Sequence, residues 1–253
     1  METDYKYQVA QNFGNAAPAY NRWASIQQEC AETLISILRH QSKIPDGEIL
    51  EIGCGTGFIT QKLIEQFPDR HLEITDISPE MLEFCQRNLL IASQPRSLSF
   101  NQLDGETVNT EAVYAAIVGG FVIQWFEQPL ESLQRLVAAL QPGGVLLVSF
   151  PSDRSFPEWK QACQQTSIPF TANPLPNPGY LSEQLTDSSV KCTWYEKEFC
   201  LVYRDAIEFF KSFKLIGASL NRYSQMLTAR QMRQLIHHWN LSSPNEIQVH
   251  YIH

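Results

Sequence analysis

Apolar residues follow two rhythms along this chain. Over residues 24–38, Ile26, Cys30, Leu34, Ile37 and Leu38 recur at helical spacing and predict an amphipathic helix. The stretch before it is polar and aromatic, with Phe13, Tyr20 and Trp23 amid Gly, Asn and Ala. From 48 to 150, short apolar runs have the length of strands: Ile49–Ile52, Leu72–Thr75, Leu98–Leu103, Ala115–Val118 and Val145–Phe150. Helical segments at Phe58–Gln66, Pro79–Leu90 and Pro129–Leu140 lie between them. Ser78-Pro79 places a cap residue before a proline at the first helical position. Gln141-Pro142-Gly143-Gly144 stops the third helix and turns the chain into the next strand. Such alternation predicts a parallel sheet with helices on both faces.

The rhythm changes after residue 150. Four prolines, at 169, 174, 176 and 178, predict a loop over 169–179. Residues 190–203 read as one long strand, 205–239 as helix interrupted near Gly217 and Asn221, and 247–253 as a final strand. The expected organisation is a single domain: an N-terminal helical cap (1–47), a core (48–150), a lid (151–240) and a last strand (241–253).

Composition narrows the class. The chain has 253 residues, 43% hydrophobic and 18% charged, which is ordinary globular material. No run of about 18 apolar residues argues for a membrane span, and the polar, acidic N-terminus lacks the order of a secretory signal. The six cysteines (30, 54, 85, 163, 192, 200) form no C-x-x-C and suggest reduced thiols in a cytoplasmic protein. Residues 1–150 hold 9 Lys+Arg against 18 Asp+Glu, whereas residues 201–253 hold 6 against 3. An acidic body disfavours nucleic acid as a partner, while the basic late segment suits an acidic one.

The chemistry concentrates in Ile49-Leu50-Glu51-Ile52-Gly53-Cys54-Gly55-Thr56-Gly57-Phe58. A buried strand runs through a tight glycine turn into a helix, and the missing Cβ atoms let a ligand approach the main chain. The spacing is G-x-G-x-G, not the dinucleotide G-x-G-x-x-G, and Glu51 precedes it. An acid there suits a cationic or hydrogen-bond-donating ligand better than a pyrophosphate. Asp76 ends the second strand, where a carboxylate can accept both hydroxyls of a ribose, and Asp104 ends the third, where it can accept from an exocyclic amine. Carboxylates at three successive strand ends face one crevice.

This constellation resembles the class I S-adenosylmethionine-dependent methyltransferases over residues 48–150. The resemblance implies an α/β, Rossmann-like, doubly wound seven-stranded sheet with a helical lid insertion. It implies S-adenosylmethionine as cofactor and S-adenosylhomocysteine as product. Carried over to this sequence, Gly53, Gly55 and Gly57 lie under the methionine part, with Cys54 a small filler inside the loop. Glu51 supports the loop and the ammonium. Asp76 takes the ribose, with Ile77 and Met81 near the adenine and Asp104 and Gly105 at its edge. Gly120 and Phe121 close the site near the sulfonium.

Further segments are similar to one subfamily, the malonyl-acyl-carrier-protein O-methyltransferases of biotin synthesis. They are Val9 to Tyr20 followed by Ala24 and Gln27, Phe121-Val122-Ile123-Gln124-Trp125, Ser155-Phe156-Pro157-Glu158-Trp159, Phe213 to Ala218, and Val249-His250-Tyr251. They span nearly the whole chain in order. One departure is the end, since the family continues a few residues past the last strand and this sequence stops at His253.

The implied reaction moves a methyl group to the free carboxylate of a malonyl thioester on acyl carrier protein. A carboxylate is ionised at neutral pH, so no general base and no acid–base dyad is expected. Alignment and exclusion of water would carry the catalysis. Tyr20 is the first candidate for orienting the substrate, and Gln124 sits where substrate meets cofactor. Lys214 matches a lid position and balances the malonyl charge. Gln27 lies within reach of the cofactor or on a solvated face; Trp23 and Trp125 read as packing. Arg204, Lys211, Lys214, Arg222, Arg230 and Arg233 form a basic cluster that fits an acidic carrier protein or a solvated helical face. His237-His238 and His250-x-x-His253 lack the acids or cysteines of a metal site, and none is expected.

Two alternatives stay open: a methyltransferase for a free small carboxylic acid, and a non-catalytic protein that binds the cofactor. Nucleic-acid methylation is disfavoured by charge. It is disfavoured too by Gly119-Gly120-Phe121-Val122 standing where an Asn/Asp-Pro-Pro-aromatic run would serve it.

Overall fold

The computed structural model describes residues 2–41, 44–89, 97–187, 189–222, 226–243 and 245–253. Helices α1 (Glu2–Trp23) and α2 (Ser25–His40) come first. The sequence pattern predicts α2 but not α1. The inward stripe of α1 is Val9, Phe13, Ala16, Ala17 and Tyr20, mostly small or singly spaced residues that make a weak apolar signal.

The alternating region forms β1 (Glu48–Ile52), α3 (Phe58–Gln66), β2 (Leu72–Asp76), α4 (Pro79–Leu89), β3 (Leu98–Gln102), β4 (Tyr114–Gly120), α5 (Pro129–Ala138) and β5 (Leu140–Ser149). The strands pair in parallel in the order β3-β2-β1-β4-β5. The order reverses between β1 and β4, so their carboxyl ends open a crevice. Apolar residues cover both faces of the sheet. Leu34, Leu38 and Leu63 pack on one side, and Ile117, Leu133 and Leu136 on the other. Burial of each such side chain contributes about 1.5–3 kcal/mol. The Gln141–Gly144 segment does not separate helix from strand as the sequence suggests. It is a bulge inside β5: Tyr114 pairs with Leu140, then Ala116 with Val145, and Gly143 takes φ +80°. Leu90, the expected end of α4, lies outside the described residues.

Beyond β5 come α6 (Pro157–Thr166), α7 (Pro178–Leu185), β6 (Glu198–Tyr203), α8 (Ala206–Leu215), α9 (Ala229–Ser242) and β7 (Ile247–Ile252). The region has its own aromatic core, in which Phe156, Trp159, Phe209 and Trp239 pack together. Two expectations are corrected here. Among the described residues the sheet has five parallel strands rather than seven, and β6 with β7 form a separate antiparallel pair. Pro151 follows β5 and has no N–H to donate, and the chain then turns. The end of β7 bonds to that turn, with Ser152 N–H donating to Ile252 O (2.7 Å) and Phe156 N–H to His250 O (2.9 Å). Nor is 190–203 one strand. The ladder is limited by β7, and only Lys197 extends it, through paired bonds with His253. Among the described residues no helix is long and apolar enough to cross a membrane.

Candidate active site

The glycine turn leaves β1 with its backbone in left-handed conformations that an L side chain resists: φ is +67° at Gly53 and +53° at Gly55. A Cβ at Gly53 would stand 2.3 Å from Val122 Cγ2, whereas one at Gly55 would meet nothing within 4 Å. Bare main chain at 55 therefore faces open space. The turn is tied down on its other side. Cys54 N–H donates to Thr75 O (2.9 Å), Gly57 N–H to Cys54 O (2.9 Å), and Gly55 N–H to Asp76 Oδ2 (2.9 Å).

Three acids lie around this turn. Asp76 accepts from Gly55 N–H and, through Oδ1, from Ser78 N–H (2.8 Å). These bonds favour the charged form, yet burial dominates and pushes its pKa up to about 6. Glu51 on β1 is fully buried, and neither carboxyl oxygen has a partner among the described residues. Burial first, and then the neighbouring Cys85 and Asp76, hold its pKa well above the usual range. Asp104 caps the short turn after β3, accepting from Glu106 N–H (3.0 Å), and faces Lys6 of α1 at 3.3 Å.

The strand ends open on one cavity. Of the residues singled out in the sequence, Gly53 and Gly55 line its floor, and Asp76, Ile77, Met81, Asp104 and Gly105 one flank. Gly120 and Phe121 line the far end, and Tyr20 the roof. Phe121 sits at φ +59°, held by its N–H on Ser149 O (2.7 Å). Burial raises the Tyr20 phenol far above its ordinary value, with Asp76 adding to the shift, so it stays a donor.

Other expected residues fall outside the lining. Glu51, Cys54 and Gly57 lie behind the turn; the Cys54 thiol packs beside Cys85. Gln27 is half-buried on α2, away from the cavity. Gln124 turns inward, its Nε2 donating to Phe121 O (2.8 Å). Lys214 lies exposed in the last turn of α8, which buries Phe209 and Ser212, and is not among the residues lining the cavity. Arg222 is also not a free surface cation, because its Nη2 donates to the carbonyls of Phe126 (2.7 Å) and Trp125 (3.3 Å). Arg204, Lys211, Arg230 and Arg233 are exposed.

Several lining residues were not singled out: Lys6, Val9 and Phe13 on α1, and Leu103, Val122 and Phe126 on the core. Trp125, read as packing, also lines the cavity, and its indole Nε1 is buried without a partner among the described residues. The histidines serve elsewhere. His238 bonds Gln165 (2.9 Å), His250 pairs with Glu158, and the His253 ring lies tilted against Phe121, 4.5 Å between centroids.

A strand-order reversal, a bare glycine turn and acids at successive strand ends define an α/β methyltransferase domain, and the methyltransferase domain family model matches residues 50–146. The fold is similar to that of the YcgJ protein from Bacillus subtilis (TM-score 0.58, 11% identity, covering 87% of this chain and 95% of that one). It is also similar to that of a Bacillus halodurans C-125 protein (TM-score 0.60, 11% identity, 88% and 94%). In sequence the chain is 30% identical to the malonyl-[acyl-carrier protein] O-methyltransferase of Anoxybacillus flavithermus, over 85% of this chain and 81% of that protein. It is 34% identical to the one from Magnetococcus marinus, over 69% of this chain but 64% of that protein. The chain belongs to this family of S-adenosylmethionine-dependent methyltransferases.

The residues present fit that cofactor. Asp76 and Asp104 line the cavity as hydrogen-bond acceptors, and the space that a Cβ at Gly55 would enter admits a ligand against the main chain.

Proposed function

We infer that this enzyme methylates the free carboxylate of a malonyl thioester carried on acyl carrier protein, an early step of biotin synthesis. The activity named for its relatives supports the reading. The observation that carries it is the cavity wall beside Gly120. Phe13, Tyr20, Phe121 and Trp125 make that wall aromatic, with a phenol and a buried indole N–H as donors. A carboxylate nucleophile needs that combination, since it is already ionised and gains reactivity as water is removed.

In this reading Gly53 and Gly55 cradle the methionine part, and Glu51 and Gly57 support the turn from behind. Asp76 accepts from the ribose hydroxyls, and Ile77, Met81, Asp104 and Gly105 hold the adenine. S-adenosylmethionine supplies a methyl group activated on a sulfonium. Tyr20, protonated at every working pH, donates to the acceptor carboxylate and fixes its line of approach; Trp125 N–H is the second donor. Alignment of this kind contributes up to roughly 7–11 kcal/mol.

Residues 1–47 act as the cap, 48–150 as the cofactor core and 151–240 as the lid. Arg204, Lys211, Lys214, Arg230 and Arg233, exposed around α8 and α9, form the face that steers an acidic carrier.

The test uses methyl-labelled S-adenosylmethionine with malonyl-carrier protein, malonyl-CoA and malonate side by side. A base-labile methyl ester on the carrier-bound malonyl group is expected. Label on malonate alone would overturn the reading in favour of a small-acid methyltransferase. Cofactor binding with no labelled acceptor would make the protein a non-catalytic binder.

A further inference from the structure

Helix α1 roofs the cavity with Val9, Phe13 and Tyr20 and is fastened near both of its ends. At one, Thr56 Oγ1 of the glycine turn donates to Asn21 Oδ1 at 2.6 Å. At the other, Lys6 Nζ pairs with Glu106 and stands 3.3 Å from Asp104. The two fasteners are fifteen residues apart, roughly 22 Å along a helix. The Lys6 and Glu106 side chains are 17% and 11% exposed, so this is not an ordinary solvated surface pair.

Glu106 cannot follow Lys6 if α1 lifts. Its carboxylate accepts from the N–H groups of Glu127 (2.8 Å) and Gln128 (3.0 Å) and from Ser132 Oγ (2.9 Å), all on the core. Asp104 is fixed as well, by its bond from Glu106 N–H. The ammonium also lies 5.4 Å from the centre of the Phe126 ring, which lines the same end of the cavity. A cation on the roof helix therefore meets a carboxylate anchored to the core, directly beside the acid assigned to the adenine amine.

We propose that Lys6 is a positioning residue that latches the N-terminal helix over the adenine end of the cavity and thereby sets how long the nucleoside cofactor or product stays bound. Release of the nucleoside requires α1 to rise, and α1 rises only when Lys6 leaves Glu106. Truncating one partner of a mostly buried charge pair acts mainly on the dissociation rate. The inference depends on cofactor use, not on the identity of the methyl acceptor.

The test follows release of S-adenosylhomocysteine from the full chain by stopped flow, with calorimetry to establish binding. Lys6→Met should release it about tenfold faster, and Lys6→Arg should stay within about twofold of the parent. Glu106→Gln should release it faster than the parent but no faster than Lys6→Met, which also loses Asp104, and the double variant no faster than Lys6→Met. An unchanged rate in Lys6→Met would overturn the proposal, as would strictly additive effects in the double variant. If Lys6→Met does not fold, the parent decides: release that quickens with salt supports the latch, and release indifferent to salt refutes it.

Discussion

Asp76 titrates where the cofactor binds, and this makes affinity a function of pH with a definite sign. Its two oxygens take the N–H groups of Gly55 and Ser78, yet burial raises its pKa from an ordinary 3.8 to about 6. In the empty protein the folded pKa lies above that of the unfolded chain. The empty fold is therefore favoured below pH 3.8 and loses stability as the pH rises towards about 6, by about 3 kcal/mol over that whole interval. Ribose hydroxyls reverse the preference, because they donate to the carboxylate and not to the acid. Affinity for S-adenosylhomocysteine should then be nearly full at pH 7 and about tenfold weaker at pH 5, falling by a factor of about ten for each further pH unit below 6. The ligand's ammonium stays charged over this range and adds no slope. Calorimetric titration from pH 5 to 7 measures the effect. Asp76→Asn keeps the volume, loses a charge-assisted acceptor worth about 1.5–3 kcal/mol, and should bind weakly with a flat profile. Glu51→Gln should lower affinity while keeping the Asp76 slope. A flat profile in the parent, or the same slope in Asp76→Asn, would refute the reasoning.

Gly55→Ala should weaken cofactor binding at least tenfold, because its Cβ enters the open space above the turn. Its melting temperature should fall by only the few degrees expected for about 1–2 kcal/mol of left-handed strain, as read by calorimetry with and without cofactor. Tyr20→Phe should leave S-adenosylhomocysteine affinity unchanged and lower kcat about tenfold or more, in a steady-state assay with malonyl-carrier protein. Lys211→Glu with Arg230→Glu should raise KM for the carrier substrate and flatten its salt dependence, while turnover of malonyl-CoA stays as in the parent.

The floor of the cavity was legible in the sequence because each of its parts is local. A glycine turn after an apolar strand and acids at strand ends need only the chain on either side of them. Gly53, Gly55, Asp76 and Asp104 accordingly meet at one cavity. Of the roof only Tyr20 was legible, through the family resemblance, because the rest is built by docking one helix on another element. Nothing in Tyr-Lys-Tyr at positions 5–7 distinguishes Lys6 from a solvated lysine until α1 is laid across Glu106. Lys214 and Arg222 invert that lesson. Both read as members of one basic cluster, yet helix phase sends Lys214 to the surface, and a pair of carbonyls draws Arg222 inward. The separate β6–β7 pair escaped for a similar reason: strand propensity names a strand but not its neighbour, and Pro151 with the turn after it diverts β7 from β5.

A crystal structure with S-adenosylhomocysteine bound tests the central claim most directly. The account predicts the homocysteine part over the bare backbone of 53–57, the ribose on Asp76 and the adenine at Asp104 beneath Lys6. A ligand that leaves Asp76 without a ribose contact, or that lies outside the roof formed by α1, would contradict it.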